Sequence, residues 1–95
     1  MDTSGSTNGY THPLYGRLVV LDVSSLYVYV GRLGHCDDRH FVLEAADVHD
    51  LRDTSTTRVL YVVDVKRHGV QPNRKRVYVR AAEVVSLSAL DDVND

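Results

Sequence analysis

Apolar residues of this chain occur in short blocks rich in valine, separated by polar and glycine-containing turns. Valine accounts for 17 residues, and neither isoleucine nor tryptophan occurs. Blocks of β-branched and aromatic residues bounded by turn residues are typical of strands. The blocks predict five strands, in residues 17–23, 26–33, 40–48, 58–66 and 76–87, with a bend in the last block near residues 81–83.

Several of these blocks are apolar at both odd and even positions, as in residues 18–21 and 60–63. A continuous apolar run indicates a strand that is covered on both sides or bent across two layers. No stretch of ten residues shows the three- and four-residue apolar spacing of a helix. The pattern therefore predicts an all-β fold: a small, strongly bent, five-stranded antiparallel barrel, with any helix limited to a turn near residues 13–16 or 90–95.

The two ends of the chain differ from the middle. Residues 1–13 are rich in glycine, serine, threonine and asparagine and lack apolar periodicity, which predicts a flexible N-terminal arm. Residues 14–90 form the predicted barrel domain, and residues 91–95 form an acidic C-terminal tail.

Length and composition limit the class of protein further. With 95 residues, 43% apolar and 25% charged, the chain suits one small globular domain, whose limited core favours association with further copies. The single cysteine, Cys36, cannot form an internal disulfide. Neither a signal-peptide pattern nor an apolar run long enough to cross a membrane occurs. These features predict a cytoplasmic protein without a membrane partner.

The net charge of -2 hides an uneven distribution, because residues 66–80 carry six cations and no acid while the remainder carries a net charge of -8. Five of the cations are predicted to flank one hairpin loop: Lys66, Arg67, Arg74, Lys75 and Arg76. Phosphates would gather at such a loop by counterion release. A solvated loop that protects an edge strand and keeps the protein soluble explains the same charges.

Two segments carry a more specific pattern. The first joins Gly31, Leu33 and Asp37 to the apolar run 41–47, and the second is residues 79–87, which begins with Val-Arg-Ala. A glycine inside an apolar strand marks a bulge or a sharp bend. In order and spacing, the two segments resemble the two signatures of the Sm-like family, which includes the LSm and Hfq proteins. The resemblance covers roughly residues 14–90 and implies an Sm-like, SH3-type barrel, with the family's N-terminal helix short or absent.

The resemblance also implies which residues would meet RNA at the inner rim of a ring. Asp37 and Arg80 occupy the positions of the family's aspartate and arginine, His40 that of an asparagine, and Arg39 that of the stacking side chain. Guanidinium and imidazole groups both stack on bases. Ala81 replaces the family's glycine, and its methyl group would narrow the space available to an RNA base. A plain hairpin turn, or an ion pair between Arg80 and Asp37, accounts for the same residues without a ligand.

Tyrosines in the predicted strands are further candidates for base stacking: Tyr27, Tyr29, Tyr61 and Tyr78. Aromatic side chains on oligonucleotide-binding barrels perform that role. Half-buried positions in a barrel or an interface are the more common use of tyrosine, so these residues are not assigned to the site.

Other chemistry has weaker support in the sequence. His35, Cys36, Asp37 and His40 lie close together, but a tetrahedral zinc site typically needs a second, remote pair of ligands. No metal and no cofactor are expected. Nucleophilic catalysis by Cys36 would need a pocket that so small a barrel does not offer, so a protein without enzymatic activity is expected.

The resulting hypothesis is a bacterial-type Sm-like protein that forms a homo-oligomeric ring and binds single-stranded RNA, with no DNA partner, in RNA metabolism or regulation. Arg39 and His40 would stack on bases, and Arg80 would contact a base or a phosphate. The predicted strand at 58–65 would be a bare edge, and pairing with a neighbour's final strand near residues 76–80 would close the ring. The alternative is an oligomeric β-barrel scaffold or protein interaction module without RNA binding, which fits the acidic remainder of the chain.

Overall fold

The computed structural model describes residues 11–53 and 56–95, in which five strands and one α-helix follow each other along the chain. In chain order these are β1 (Leu18–Val23), β2 (Tyr27–Leu33), β3 (His40–Asp50), α1 (Arg58–His68), β4 (Arg74–Arg80) and β5 (Val84–Ala89). Short 3-10 turns follow β4 and β5, at Ala81–Glu83 and Leu90–Asp92. The bend predicted near residues 81–83 is therefore present, and it divides the last predicted block into two strands.

The strands form one antiparallel, five-stranded sheet in the order β4-β3-β2-β1-β5. β4 and β5 lie at opposite edges of this sheet, although a turn of only three residues joins them along the chain. The sheet must therefore curl until its two edges approach each other. The predicted strongly bent antiparallel architecture is confirmed, but one of its strands is not where the sequence pattern placed it.

The strand predicted at 58–66 is wrong, because these residues belong to α1. Thr57 caps the start of the helix with its hydroxyl oxygen, which accepts a hydrogen bond from the N–H of Leu60 at 3.2 Å. Gly69, with φ 92°, ends it. Four valines in eleven residues favour a strand by propensity, but burial of one helix face outweighs that preference.

The core has two parts, on opposite faces of the sheet. The barrel core is built from Val19, Leu21, Val23, Leu33, Leu43, Ala46 and Val79. On the other face, Tyr61, Val62 and Val65 of α1 pack onto Val20, Val28 and Val30 of β1 and β2. Alternate residues of β1 thus enter different clusters, which is why the sequence of this strand is apolar at both odd and even positions.

A bulge in β3 interrupts its regular pairing with β2. Val30 pairs with Asp47 and Arg32 with Glu44, so Gly31 lies opposite two residues of β3. One of those two, Ala45, has φ 47°, in the left-handed region that side chains other than glycine's rarely adopt. A Cβ on Gly31 would lie 3.0 Å from both Cα and Cβ of Ala46. The predicted bend at Gly31 thus coincides with a close backbone approach, which a larger residue could make only if Ala46 shifts.

The predicted arm at 1–13 falls mostly outside the described residues, and the division into arm, domain and tail stays a prediction. Residues 11–17 contain turns, with hydrogen bonds from Tyr15 N to His12 O and from Arg17 N to Leu14 O, and no helix. Leu14 already packs against the barrel core. Within the described part of the chain, no helix has the length and apolar character that a membrane span requires.

Candidate nucleic-acid interface

The turn between β2 and β3 is held by the carboxylate of Asp37. Its Oδ1 accepts hydrogen bonds from the backbone N–H of Arg39 at 2.7 Å and of His40 at 2.6 Å. These two bonds hold the pKa of Asp37 below its usual value, because they stabilise the ionised carboxylate. Asp37 therefore fixes the positions of the two residues that follow it, and its Oδ1 is occupied by its own turn.

Arg39, His40 and Arg80 come together at the meeting point of this turn with the end of β4. His40 lies directly opposite Arg80 in the β3–β4 pairing, and the N–H of Ala81 donates to the carbonyl oxygen of Arg39 at 2.7 Å. The result is a cleft of about 320 Å³, the rim cleft, lined by Asp38, Arg39, His40, Arg80, Ala81 and Ala82. The segments that sequence reasoning combined into one site are adjacent in space, with Asp37 at the base of the turn.

The side chain of Arg80 is exposed and pairs with an acid of its own segment. Its Nη1 lies 3.7 Å from Oε2 of Glu83, in the 3-10 turn after β4, rather than pairing with Asp37. His40 Nδ1 lies 3.6 Å from Oδ1 of Asp37. Exposed pairs of this kind contribute little to stability, so a phosphate or a base can compete for either side chain.

The second basic group is not gathered at one hairpin loop, because its first two members lie in α1. The ammonium of Lys66 donates to the carbonyl oxygen of Val93 and lies 3.5 Å from Oδ1 of Asp95. Arg67 Nε lies 3.8 Å from Oδ2 of the same aspartate. In β4, Arg76 Nε donates to both carboxylate oxygens of Glu44 at 3.0 Å, while Arg74 and Lys75 are exposed. Most of the predicted patch is therefore paired with acids of the same chain.

A second cavity, larger than the rim cleft, lies on the face of β3–β4 turned away from the barrel core. This outer-face cavity has a volume of about 400 Å³ and is lined by residues 35–37 together with Val42, Glu44, Arg76 and Tyr78. Tyr78 is 63% exposed, whereas Tyr27 and Tyr29 pack against the barrel core and Tyr61 belongs to α1. Sequence reasoning did not assign Tyr78 to a site, although the alternation Arg76-x-Tyr78-x-Arg80 placed it on one face with two cations.

Metal-ligating residues do not converge in the part of the chain that the structure describes. His35, Cys36 and Asp37 are neighbours along the turn, but no group of three or more His, Cys, Asp or Glu side chains there could hold a metal ion. The Sγ of Cys36 lies 3.4 Å from the carbonyl oxygen of Gly34, and the thiol is exposed.

A five-stranded antiparallel sheet, curled so that β4 and β5 approach each other and bent at Gly31, defines the Sm-like fold. Among solved structures, the chain is similar to an Sm protein of Pyrococcus abyssii determined in complex with a uridine heptamer, with a TM-score of 0.54 and 16% sequence identity. The match covers 80% of this chain and 86% of that protein. No protein-family model matches the sequence, and no curated protein matches it. The predicted Sm-like fold is thus confirmed by structure, at an identity where likeness shows the fold alone.

Proposed function

We propose that this protein forms a homo-oligomeric ring that binds single-stranded RNA in the rim cleft and acts in RNA metabolism or regulation. The observation that carries the proposal is the convergence of Arg39, His40 and Arg80 from two separate segments into one cleft. The Pyrococcus abyssii Sm protein, which shares the fold, was solved with a uridine heptamer bound. An exposed, unpaired thiol at Cys36 is typical of a reducing compartment, and we place this function in the cytoplasm.

The chemistry of the rim cleft suits a splayed base. The guanidinium of Arg39 and the imidazole of His40 offer flat surfaces on which a base can stack, and Arg80 offers several N–H donors to a base edge or a phosphate. Asp37 keeps the first two side chains in register through its hydrogen bonds to the turn. The methyl group of Ala81 borders the same cleft and limits its width.

Ring closure in this proposal uses different strands from those predicted, because residues 58–65 are helical. The two edge strands of the sheet are β4 and β5, each of which has one side unpaired within the sheet. Val85, on β5, is 73% exposed and lies where the β1–β5 register shifts. Pairing of β4 with the β5 of a neighbour would satisfy both edges and repeat the rim cleft around a pore, so that weak contacts add by avidity.

Binding of RNA is tested by fluorescence anisotropy with labelled oligo-U and oligo-A at two salt concentrations. The wild type is expected to bind at least one of them, more weakly at high salt. Arg80→Ala should lower that affinity about tenfold, by loss of donors in the cleft. Arg52→Ala is the matched control, since it removes an exposed, acid-paired arginine outside the cleft, and it should change the affinity less than about twofold. Equal affinity of wild type and Arg80→Ala would overturn the assignment of the cleft.

The ring is tested separately by native mass spectrometry. Val85→Arg should shift the assembly towards monomers, because it places a charge on the β5 edge. Val59→Arg, at a 70% exposed valine on α1, should leave the assembly intact. A wild type that is monomeric at micromolar concentration would contradict the pairing of β4 with β5.

The scaffold alternative has one observation in its favour. Arg76, Lys66 and Arg67 are paired with acids of the same chain, which reduces the positive potential available to a polyanion. A wild type that forms rings but shows no salt-sensitive RNA binding would establish the scaffold function.

A further inference from the structure

We propose that the outer-face cavity is a second contact site for the same RNA strand, in which a nucleotide next to the one in the rim cleft stacks on Tyr78 beside Arg76. The inference rests on the proposed function and extends it, because it gives the strand a direction as it leaves the cleft. It is carried by the register of β3 and β4, by the exposure of Tyr78 and by the proximity of Tyr78 to His40, which lines the rim cleft.

The register places three cross-strand pairs on one face. His40 lies opposite Arg80, Val42 opposite Tyr78, and Glu44 opposite Arg76. Directly opposed residues of antiparallel strands project from the same side of the sheet. Phe41, Leu43, Val77 and Val79 alternate with them and contact the barrel core, so the three pairs face outward.

His40 brings the rim cleft close to Tyr78. It lines the rim cleft, and its ring lies 6.4 Å from the ring of Tyr78 in an edge-on arrangement with an interplanar angle of 87°. The plane of Tyr78 is thus nearly perpendicular to that of His40, and the two rings are not stacked on each other. A strand that places one base on His40 can place the next against Tyr78 without leaving the protein surface.

The polar groups around Tyr78 suit a nucleotide. Nε of Arg76 donates to both carboxylate oxygens of Glu44 at 3.0 Å, and these two hydrogen bonds fix the plane of the guanidinium. The other four N–H groups of a guanidinium are carried by its two Nη atoms. An aromatic face beside an oriented cation is the arrangement with which proteins hold single strands, by base stacking and phosphate contact.

Tyr78 differs sharply in exposure from the outward side chains beneath α1. Beneath α1, the outward side chains Val20, Val28 and Val30 are at most 2% exposed. A large aromatic side chain that the helix does not cover keeps apolar surface in contact with water, which is unfavourable unless a ligand covers it. A nucleobase has the size and the flat shape to do so.

The first test uses two variants at one position. Tyr78→Leu keeps an apolar side chain but removes the aromatic face, and it should lower the affinity for an oligo-U or oligo-A strand that spans both sites about tenfold. Tyr78→Phe keeps the ring and should restore wild-type affinity. Binding of the mononucleotide, UMP or AMP, followed by NMR titration, should be unaffected by either variant, because it requires only the rim cleft. Native mass spectrometry of each variant ensures that equal assemblies are compared.

The second test uses the wild type alone and the single cysteine of the chain. Cys36 lines the outer-face cavity and is exposed, so its rate of alkylation by iodoacetamide reports whether that cavity is open. A saturating long strand should slow alkylation severalfold, whereas a saturating mononucleotide should not. A thiol that is unreactive without RNA, or one that reacts equally fast at saturation, would overturn the second site.

The two proposals fail in different ways. Loss of long-strand binding in Arg80→Ala, combined with unchanged long-strand binding in Tyr78→Leu, would refute only the second site. Absence of RNA binding by the wild type would refute both.

Discussion

On the part of the sheet beneath α1, the side chains that point away from the barrel core include three valines, whereas on β4 and the first half of β3 they include histidine, tyrosine and arginine. The former positions, Val20, Val28 and Val30, are almost fully buried under the helix. The latter include Tyr78 and Arg80, which are exposed. The two regions belong to one sheet, so the difference in the exposure of their side chains comes from residue type and from the placement of α1.

The boundary between the two regions is the bulge at Ala45. Before it, Glu44 lies on the exposed face and pairs with Arg76; after it, Asp47 and His49 lie under the helix. The Tyr61 hydroxyl donates to Asp47, and the Tyr61 ring stacks on His49 with centroids 4.1 Å apart. One irregular residue thus separates a face that packs against the chain's own helix from a face that α1 leaves uncovered.

The largest effect is expected where the helix meets the sheet. Val62→Asp places a carboxylate at a position only 7% exposed, between α1 and β1–β2. Burial of an unpaired charge should destabilise the protein by more than about 3 kcal/mol and detach α1. Urea denaturation and far-ultraviolet circular dichroism measure both effects.

Val59→Asp is the matched control, since it makes the same change on the same helix at a residue that is 70% exposed. It should alter stability by no more than about 0.5 kcal/mol. Equal destabilisation by the two variants would contradict the assignment of Val62 to the covered face.

A smaller effect is expected at the boundary itself. Gly31→Ala brings a Cβ to 3.0 Å from two atoms of Ala46, one of them backbone, and should cost about 1–3 kcal/mol. Gly34→Ala meets the flexible carboxylate of Glu44 at 3.3 Å instead, and should cost less. Thermal unfolding of the two variants compares them. A more stable Gly31→Ala variant would show that the bulge relaxes and is not a fixed boundary.

Much of the fold could be predicted from the sequence because the strands differ from the turns in composition. The run at 18–21, apolar at both parities, correctly indicated that β1 is covered on both sides, whereas the same pattern at 60–63 lies in α1. The glycine in β2 marked the bend. The helix was missed because residues 59–63 are all apolar, which hides the spacing of the buried Tyr61, Val62 and Val65. Thr57 before the block and Gly69 after it were the local signals of a helix start and end.

Part of the candidate site could be predicted from the sequence, namely the grouping of the residues of the turn with Arg80. The resemblance to the two Sm-like signatures grouped Asp37, Arg39 and His40 with Arg80, and strand pairing brings Arg80 opposite His40. The ion pairs were not predictable, since Asp95 reaches Lys66 and Glu44 reaches Arg76 only after folding. Tyr78 was named as a candidate for base stacking but left unassigned, because its exposure depends on which face α1 covers.

The smallest expected effect is a pH dependence confined to the covered face. Burial raises the pKa of Tyr61, and the hydrogen bond to Asp47 raises it further. The protonated phenol is therefore favoured in the folded state, so its contribution is fully present below the unfolded pKa near 10 and is lost as the pH rises above that value. Tyr61→Phe should cost about 1 kcal/mol at neutral pH through the lost hydrogen bond. The urea midpoint of Tyr61→Phe should then fall less steeply than that of the wild type above pH 10. An equally steep fall of the two midpoints with pH would show that folding does not raise the pKa of Tyr61.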